Sequence, residues 1–389
     1  MACNQPATGA RTSQYYVEEV DCGVTPPTPA WQPLRYTAGV PQLTKDSVQS
    51  QELDGSREVA DIRLGQNQAA AEFAIELSYG SYDDWLEAAL GGTWAAGTTE
   101  SGIDLTMDDV AKTITRVAGD FTTNISVGDF VKWPDFTNAE NQGPFYVTSV
   151  SPLVVTIANA SDLVAENVAS GEYTTGDKLE VGTARKTFSI LTHFEDAANG
   201  LGEYHITRGV EMAAYAFNVA VNAIVTGTFS TIGRSYEPNI ALPAGSTFPT
   251  VPKTQPYAGV DGRIIEAGVT LAYVTTSDNN LDNEAAAQFE IGSDNISFIE
   301  QGRANSTLSL ATFFESSTLL SKFINGTESS VIISLDGPDG LLSFSYPRVV
   351  YTSGAPDVSG PGSITATVDA QALGGTSGES SIVIQRIAA

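Results

Sequence analysis

The chain has 389 residues, 42% of them hydrophobic, and is long enough to bury two or three separate cores. Its 46 acidic residues outnumber its 19 lysines and arginines, and the net charge of −27 excludes a surface that binds nucleic acid by neutralising phosphates. Only Cys3 and Cys22 are present, which excludes a disulfide scaffold for nearly the whole chain. Short alternating segments, broken by Gly, Asn, Asp and Pro, indicate a mainly β protein.

The first 35 residues contain the proline-rich stretch TPPTPAWQP and little periodicity. Because proline removes a backbone donor and favours open conformations, the sequence predicts an extended N-terminal arm over residues 1–35. The opening residues lack the apolar core of a signal peptide, and no stretch reaches the ~18 apolar residues of a membrane span. We therefore expect a protein that folds in a cytoplasm and has no contact with a membrane.

The segment AEFAIELSY, residues 71–79, alternates between apolar and polar side chains. Phe73 and Ile75 belong to one face of the predicted strand, and Glu72 and Glu76 belong to the other. A period of two is typical of a strand that buries one face and leaves the other in water.

A short amphipathic helix is predicted next, in SYDDWLEAALGG. Ser81 is the expected N-cap, and the double glycine at 91–92 ends the helix. Such a short helix is marginal alone, so its apolar stripe should dock on a sheet. The stripe consists of Tyr82, Trp85, Leu86, Ala89 and Leu90.

Residues 95–183 interrupt this unit with several short predicted strands, and strong alternation resumes in RKTFSILTHF at 185–194. We interpret 95–183 as an inserted small β-barrel or β-sandwich domain. The first unit then comprises residues 36–94 and 184–250. A Pro- and Gly-rich linker or covering loop at 234–259 overlaps the boundary between the two units. Residues 251–389 form a second unit with a C-terminal arm.

The second unit repeats the order of elements of the first. SSTLLSKFINGT contains a second short helix, with Ser316 in the place of Ser81 as the expected cap. Its docking stripe, matched to that of the first helix, is Leu319, Leu320, Phe323 and Ile324. We therefore predict two tandem β-sandwich units, each with one short α-helix, that arose by duplication.

Residues capable of catalysis or metal binding are few. His193 and His205 flank Glu195 and Asp196, but their spacing matches no common metal site. DNNLDNE at 278–284 resembles a calcium loop faintly, yet it lacks the glycine and the final carboxylate, and we interpret it as a polar turn between strands. We expect no enzymatic activity, no metal and no cofactor.

The strand–helix passages AEFAIELSYGSYDDWLEAALGGTW and IEQGRANSTLSLATFFESSTLLSKFINGT, with LDNEAAAQFEIG and the closing YPRVVYTSGAPDVSGPGSITATVDAQAL, resemble the tail tube proteins of long-tailed bacteriophages. The resemblance implies a structural subunit, located in the virion tail and assembled in the host cytoplasm. Such subunits form rings that stack into a hollow tube through which the genome leaves. The implied partners are further copies of the chain, a tape measure protein in the lumen, and tail terminator and distal tail proteins at the ends. DNA passes without specific binding.

Two units per chain predict a ring of three chains, with a ring of six chains as the alternative. We expect the inserted domain on the outside, and Glu72 and Glu76 facing the lumen, where carboxylates would repel DNA; solvated positions on the outer wall are the alternative for these two residues. An exported β-rich adhesin or carbohydrate-binding protein is the alternative function, although such a protein normally carries an export signal.

Overall fold

The structure is a computed structural model that describes residues 6–51, 59, 61–158, 160, 162–197, 202–358, 360–375 and 379–389. The protein is mainly β, with two short α-helices and one six-stranded barrel among the described residues. The first elements are β1 (Thr12–Glu18), β2 (Gln32–Pro33), β3 (Gln42–Gln49), β4 (Ile62–Glu76) and α1 (Asp83–Leu90).

A closed barrel follows α1, with its strands in the order β10-β5-β6-β9-β8-β7. Its interior is filled by apolar side chains that include Phe121, Trp133 and Tyr173, all fully buried. The barrel strands span residues 99–175, which is a shorter range than the predicted inserted segment 95–183. These strands are β5 (Thr99–Asp108), β6 (Thr113–Arg116), β7 (Phe130–Lys132), β8 (Phe145–Ser151), β9 (Val154–Ala158) and β10 (Glu166–Thr175).

The chain then returns to the main sheet and completes both units. The next strands are β11 (Asp177–Glu180), β12 (Phe188–Phe194), β13 (Glu203–Ala220), β14 (Thr226–Gly233) and β15 (Ser235–Ile240). The second unit contains β16 (Gly262–Glu266), β17 (Val269–Thr270), β18 (Val274–Asp282), β19 (Ala286–Gln288), β20 (Phe298–Glu300), β21 (Asn305–Phe313), α2 (Thr318–Asn325), β22 (Ser329–Gly337), β23 (Gly340–Tyr351), β24 (Pro356–Asp357), β25 (Thr365–Ala372) and β26 (Val383–Ala388).

The two units share one strand-pairing scheme, and the strand pairs that define it are all antiparallel. In the first, β1 pairs with β12 and β12 with the start of β13, while the end of β13 pairs with β14, β14 with β4 and β4 with β3. In the second, β16 pairs with β22 and β22 with β23, while the end of β23 pairs with β25, β25 with β21 and β21 with β18. The helices α1 and α2 lie at matching positions, 235 residues apart (318 − 83).

The two units join by hydrogen bonding between their sheets. Strand β18 of the second unit pairs with the end of β13 of the first, from Ala214 opposite Asp282 to Ala220 opposite Thr276. One sheet therefore runs without a break through β3, β4, β14, β13, β18, β21 and β25.

The helix α1 is deeply buried against the first unit. Its first turn carries Asp83 and Asp84 at the positive end of the helix, and Gly91 ends it in a left-handed conformation. Tyr82 is the N-cap residue rather than the predicted Ser81, whose hydroxyl accepts hydrogen bonds from Arg35 and Ser78 instead. The four docking residues of this helix, which are at most 2% exposed, are Tyr82, Trp85, Leu86 and Leu90.

The helix α2 has no buried residue, which corrects part of the predicted docking stripe. Leu319 and Leu320 are half-buried, but Phe323 is 37% and Ile324 is 71% exposed. The prediction is wrong for these last two residues. In the first unit the segment around β11 covers the equivalent helix, and no described segment covers α2. Its N-cap is Ser317, one residue after the predicted Ser316.

Both predicted arms contain strands of the main sheets. Residues 12–18 of the N-terminal segment form β1, and Trp31 from the proline-rich stretch is completely buried. At the other end of the chain, β26 lies between β23 and β11. Sequence periodicity missed these strands because each is short and flanked by turns. The linker predicted at 234–259 begins with the strand β15.

The barrel rests on the second unit. The backbone N–H of Phe130 donates to Oε1 of Gln385 at 2.9 Å, and Nε2 of Gln385 donates to the Gly128 carbonyl at 2.8 Å. Phe130 and Tyr146 of the barrel also share a small apolar cluster with residues of the second unit. Among the described residues, no helix is long and apolar enough to cross a bilayer.

Candidate functional site

The continuous sheet has one apolar face and one polar face. Along β4, Phe73 and Ile75 are at most 1% exposed, whereas Glu72 is exposed and Glu76 is half-buried, so the two carboxylates point away from the core. The same alternation runs through β14, the end of β13, β18, β21 and β25. We call the side of these strands that carries Glu72 and Glu76 the acidic face.

The register of the sheet aligns the side chains of the acidic face in rows. One row contains both Glu76 and Asp278, and it reads Glu76, Thr226, Asn218, Asp278, Ser309 and Asp369. A second row reads Glu72, Ser230, Ala214, Asp282 and Asn305. Because neighbouring strands lie about 4.8 Å apart, carboxylates two or three strands apart in a row are roughly 10–14 Å apart.

The other side chains of the acidic face are small and uncharged. Between the carboxylates lie threonine, serine, alanine and asparagine side chains, and the strands β4, β14, β13, β18, β21 and β25 place no lysine or arginine on this side within their paired residues. Arg63, at the start of β4, lies beyond a register shift in the β3–β4 pairing, where it pairs with Val48, and it is outside these rows. Within these aligned rows, the acidic face therefore presents no cationic side chain to a polyanion.

Two carboxylates of this face are held by neighbouring side chains. Asn218 Nδ2 donates to Asp278 at 2.6 Å, and the hydroxyls of Ser309 and Ser353 donate to Asp369 at 2.6 and 2.7 Å. These hydrogen bonds provide each carboxylate with a local partner and restrict the movement of its side chain.

Among the described residues, the continuous sheet from β3 to β25 ends in one edge in the first unit and one in the second. In the first unit, the strand equivalent to β18 starts at Ala38, continues into β3 and pairs only with β4 within the described chain. In the second unit, β24 pairs with β25 on one side, and no described strand pairs with its other side. The edge of the first unit corresponds to β18, and the edge of the second unit corresponds to the end of β13. These are the two strands that pair at the internal junction.

The other candidates from the sequence do not form a site. His193 stacks on Tyr204 with ring centroids 4.2 Å apart, and His205 shares a 2.5 Å hydrogen bond with Tyr236. Among the described residues, no group of three His, Cys, Asp or Glu side chains is placed to hold a metal ion. The segment at 278–284 is not a turn, because Val274–Asp282 is a strand.

Sequence reasoning found two members of the acidic face and missed the others. Local sequence patterns predict a turn at Asp278 and Asp282 and do not single out Asp369. The signal for them was present in the alternation of β18 and β25, where polar residues on one side oppose Leu281 and Val368 on the other. Only the strand pairing shows that these separate strands share one face.

A family model described as "Phage tail tube protein" matches residues 9–372, which is nearly the whole chain. No curated protein matches the chain. The matched range contains the first unit, the barrel, the acidic face, the internal junction and the second unit up to the end of β25. The chain belongs to the phage tail tube protein family.

Proposed function

We propose that this chain is the ring-forming subunit of a siphophage-type tail tube, and that the acidic face lines the conduit through which the genome is ejected. The family match supports a structural role in the phage tail. The main observation in support of a ring is the internal β13–β18 junction, because it shows how two such units join edge to edge within one chain.

The free edges support a ring of three chains. The unpaired edge of 38–42 in one chain is equivalent to the edge of β18, and the unpaired edge of 350–357 in the next is equivalent to the end of β13. Pairing them repeats the internal junction between chains. Three chains then contain six units joined by six junctions of one kind. These contacts are head-to-tail, which is the type that closes rings. A ring of six chains is the alternative.

The acidic face gives the conduit its chemistry. DNA held by lysine or arginine would stick through counterion release, whereas carboxylates repel it. Screening over about 10 Å at 0.1 M salt confines that repulsion to the wall, and the estimated spacing of the carboxylates is similar to this length. The small hydroxyl and methyl groups between them leave few long side chains to obstruct a sliding duplex.

The further partners belong to the same proposal. A tape measure protein would fill the lumen during assembly in the host cytoplasm, and terminator and distal tail proteins would contact the two end rings. Pairing between chains leaves no free subunit edge in a closed ring, so these end proteins would bind the ring faces rather than the edges. We also propose that the barrel lies on the outer surface of the tube.

Electron microscopy of the purified, assembled protein tests this function. The proposal predicts uniform hollow tubes with three chains in each ring. Monodisperse monomers over a wide range of concentration and salt would contradict it, and six chains in each ring would contradict the trimer while leaving the tube in place.

A further inference from the structure

The internal junction includes a hairpin that packs against the first unit. Residues 283–304 leave the sheet after β18, form β19 and β20, and return as β21. Ile299 is 1% exposed, and its carbonyl accepts a hydrogen bond from Arg185 of the first unit. Gln301 Nε2 donates to Glu211 at 2.9 Å, beside the 2.6 Å ion pair of Arg185 with Glu211.

The equivalent hairpin of the first unit is formed by β3 and the start of β4. Asn67 in β4 donates a backbone hydrogen bond to Asp294, but no described residue buries β3 or Leu64. The separation of 235 residues that relates the two helices places Leu64 where Ile299 stands (299 − 64) and Gln66 where Gln301 stands (301 − 66). Yet Leu64 is 70% exposed, and every residue of β3 is exposed. Val48 and Ile62 of the same hairpin are also exposed, at 64% and 54%, and a group of exposed apolar side chains indicates a missing partner.

The second unit carries the matching ion pair with its charges exchanged. Glu328 lies three residues before Val331, which pairs with β23, just as Arg185 lies three residues before Phe188, which pairs with β13. Glu328 binds Arg348 at 2.6 Å, and both side chains are solvent-accessible, at 50% and 28% exposure.

Arg348 also occupies the place of Glu211 in the sheet. The N–H of Leu373 donates to the Arg348 carbonyl, and Leu373 directly follows β25. In the first unit, Glu211 faces Ile232 near the end of the equivalent strand β14. The pair Glu328–Arg348 is therefore the second unit's version of the pair Arg185–Glu211.

We propose that the β3–β4 hairpin of one chain docks on the second unit of a neighbouring copy, with Leu64 buried and Gln66 bound to the Glu328–Arg348 pair. The proposal rests on the ring proposed above and specifies its contact. Glutamine suits both charge arrangements, because its amide NH2 donates to a carboxylate and its carbonyl accepts from a guanidinium. Gln301 uses the first mode within the chain, and Gln66 uses the second toward Arg348 of the neighbour.

Chemical cross-linking of assembled protein tests the contact. In a Cys3→Ser, Cys22→Ser background, the variant Gln66→Cys with Arg348→Cys is treated with a short bismaleimide. We expect covalent species of two and three chains on a denaturing gel. The matched positive control is Gln301→Cys with Glu211→Cys, which should cross-link within one chain. Gln66→Cys alone is the negative control.

The outcomes separate this contact from the proposed function. Tubes that give only single chains after cross-linking, while the positive control reacts, would overturn the contact and leave the tube function standing. A parent protein that forms no tubes would contradict the function itself. Cross-linked pairs of chains in the Gln66→Cys, Arg348→Cys protein would support the contact even at concentrations too low for tubes.

A second variant tests the burial of Leu64 without cysteine chemistry. Leu64→Asp should raise the concentration needed for tube formation at least about tenfold, because a carboxylate would replace a buried leucine. Val110→Asp is the matched control, since this exposed valine of the barrel gains the same charge. The subunit should keep the thermal midpoint of the parent in both cases. Normal assembly by Leu64→Asp would overturn the contact.

Discussion

The guanidinium of Arg386 lies over the ring of Trp94, 4.4 Å from its centroid. Arg386 belongs to β26 in the second unit, and Trp94 follows the first unit's helix. The same guanidinium forms ion pairs with Asp83 of α1 and with Asp177 of β11, the latter at 3.1 Å. One side chain thus connects the first helix, the return strand from the barrel and the last strand of the chain.

Replacing this arginine should loosen the joint between the two units. Arg386→Ala leaves two carboxylates without their partner and removes the cation–π contact, so we expect a loss of about 2–4 kcal/mol in the free energy of unfolding. Arg11→Ala is the control, because Arg11 pairs with Glu195 and Asp196 at the surface and should cost less than about 1 kcal/mol. Denaturant unfolding of the unassembled subunit measures both, and equal losses would contradict the connecting role.

The two helices should respond differently to truncation. Leu86→Ala removes a side chain that is 1% exposed and should cost about 2–5 kcal/mol. Ile324→Ala in α2 removes one that is 71% exposed and should cost less than about 0.5 kcal/mol in the unassembled subunit. Denaturant unfolding checks both values. A large loss for Ile324→Ala would show that α2 is docked in solution.

The stability of the barrel should depend on pH through Glu166. Burial acts to raise the pKa of this carboxyl, but hydrogen bonds from Thr137, Asn138 and Asn141 outweigh burial and lower it from 4.5 to about 2. A lowered pKa in the folded state stabilises the protein above pH 4.5, and this stabilisation is lost as the pH falls from 4.5 toward 2.

Thermal unfolding measured between about pH 6 and pH 2 tests this effect, because a carboxyl group titrates within roughly that range. The thermal midpoint of the parent should fall more steeply than that of Glu166→Gln, which is already less stable at neutral pH. The two curves should converge at the acid end. Parallel curves over the whole range would contradict the assignment to Glu166.

The sequence predicted most of the architecture, and strand pairing explains what it missed. The alternation at 71–79 and the apolar stripe of α1 were sufficient for a strand and a docked helix, because both are local patterns. Exposure of Ile324 was not predictable, since it depends on a covering segment that only the first unit has. The joint acidic face depends on which strands are neighbours, and local periodicity contains no such information.

Reversing charge on the acidic face should impair DNA passage. In Glu72→Lys with Glu76→Lys, two carboxylates become ammonium groups that can bind phosphate, so genome ejection should slow or stop while tubes still form. Asp135→Lys with Glu140→Lys is the matched control, because these exposed barrel residues undergo the same change of charge. Release of DNA from complemented phage particles measures the effect. Unimpaired release by the Glu72, Glu76 variant would contradict the conduit assignment.

Removing the barrel should leave tube formation intact if the barrel lies outside. Thr98 and Thr175 are joined by hydrogen bonds at 2.8 and 2.9 Å, so a two-residue glycine turn can replace residues 99–174. This deletion retains β11, which pairs with β26. We expect some loss of stability, because Ile332 and Leu341 lose their cover. Electron microscopy of the variant tests the placement, and a folded remainder that makes no tubes would contradict it.

The most direct test of the whole account is a reconstruction of the assembled tube by cryo-electron microscopy at side-chain resolution. The account predicts three chains in each ring, with residues 38–42 of one chain paired to 350–357 of the next, and Glu72, Glu76, Asp278 and Asp282 pointing toward the axis. Six chains in each ring, or these four carboxylates on the outer wall, would contradict it.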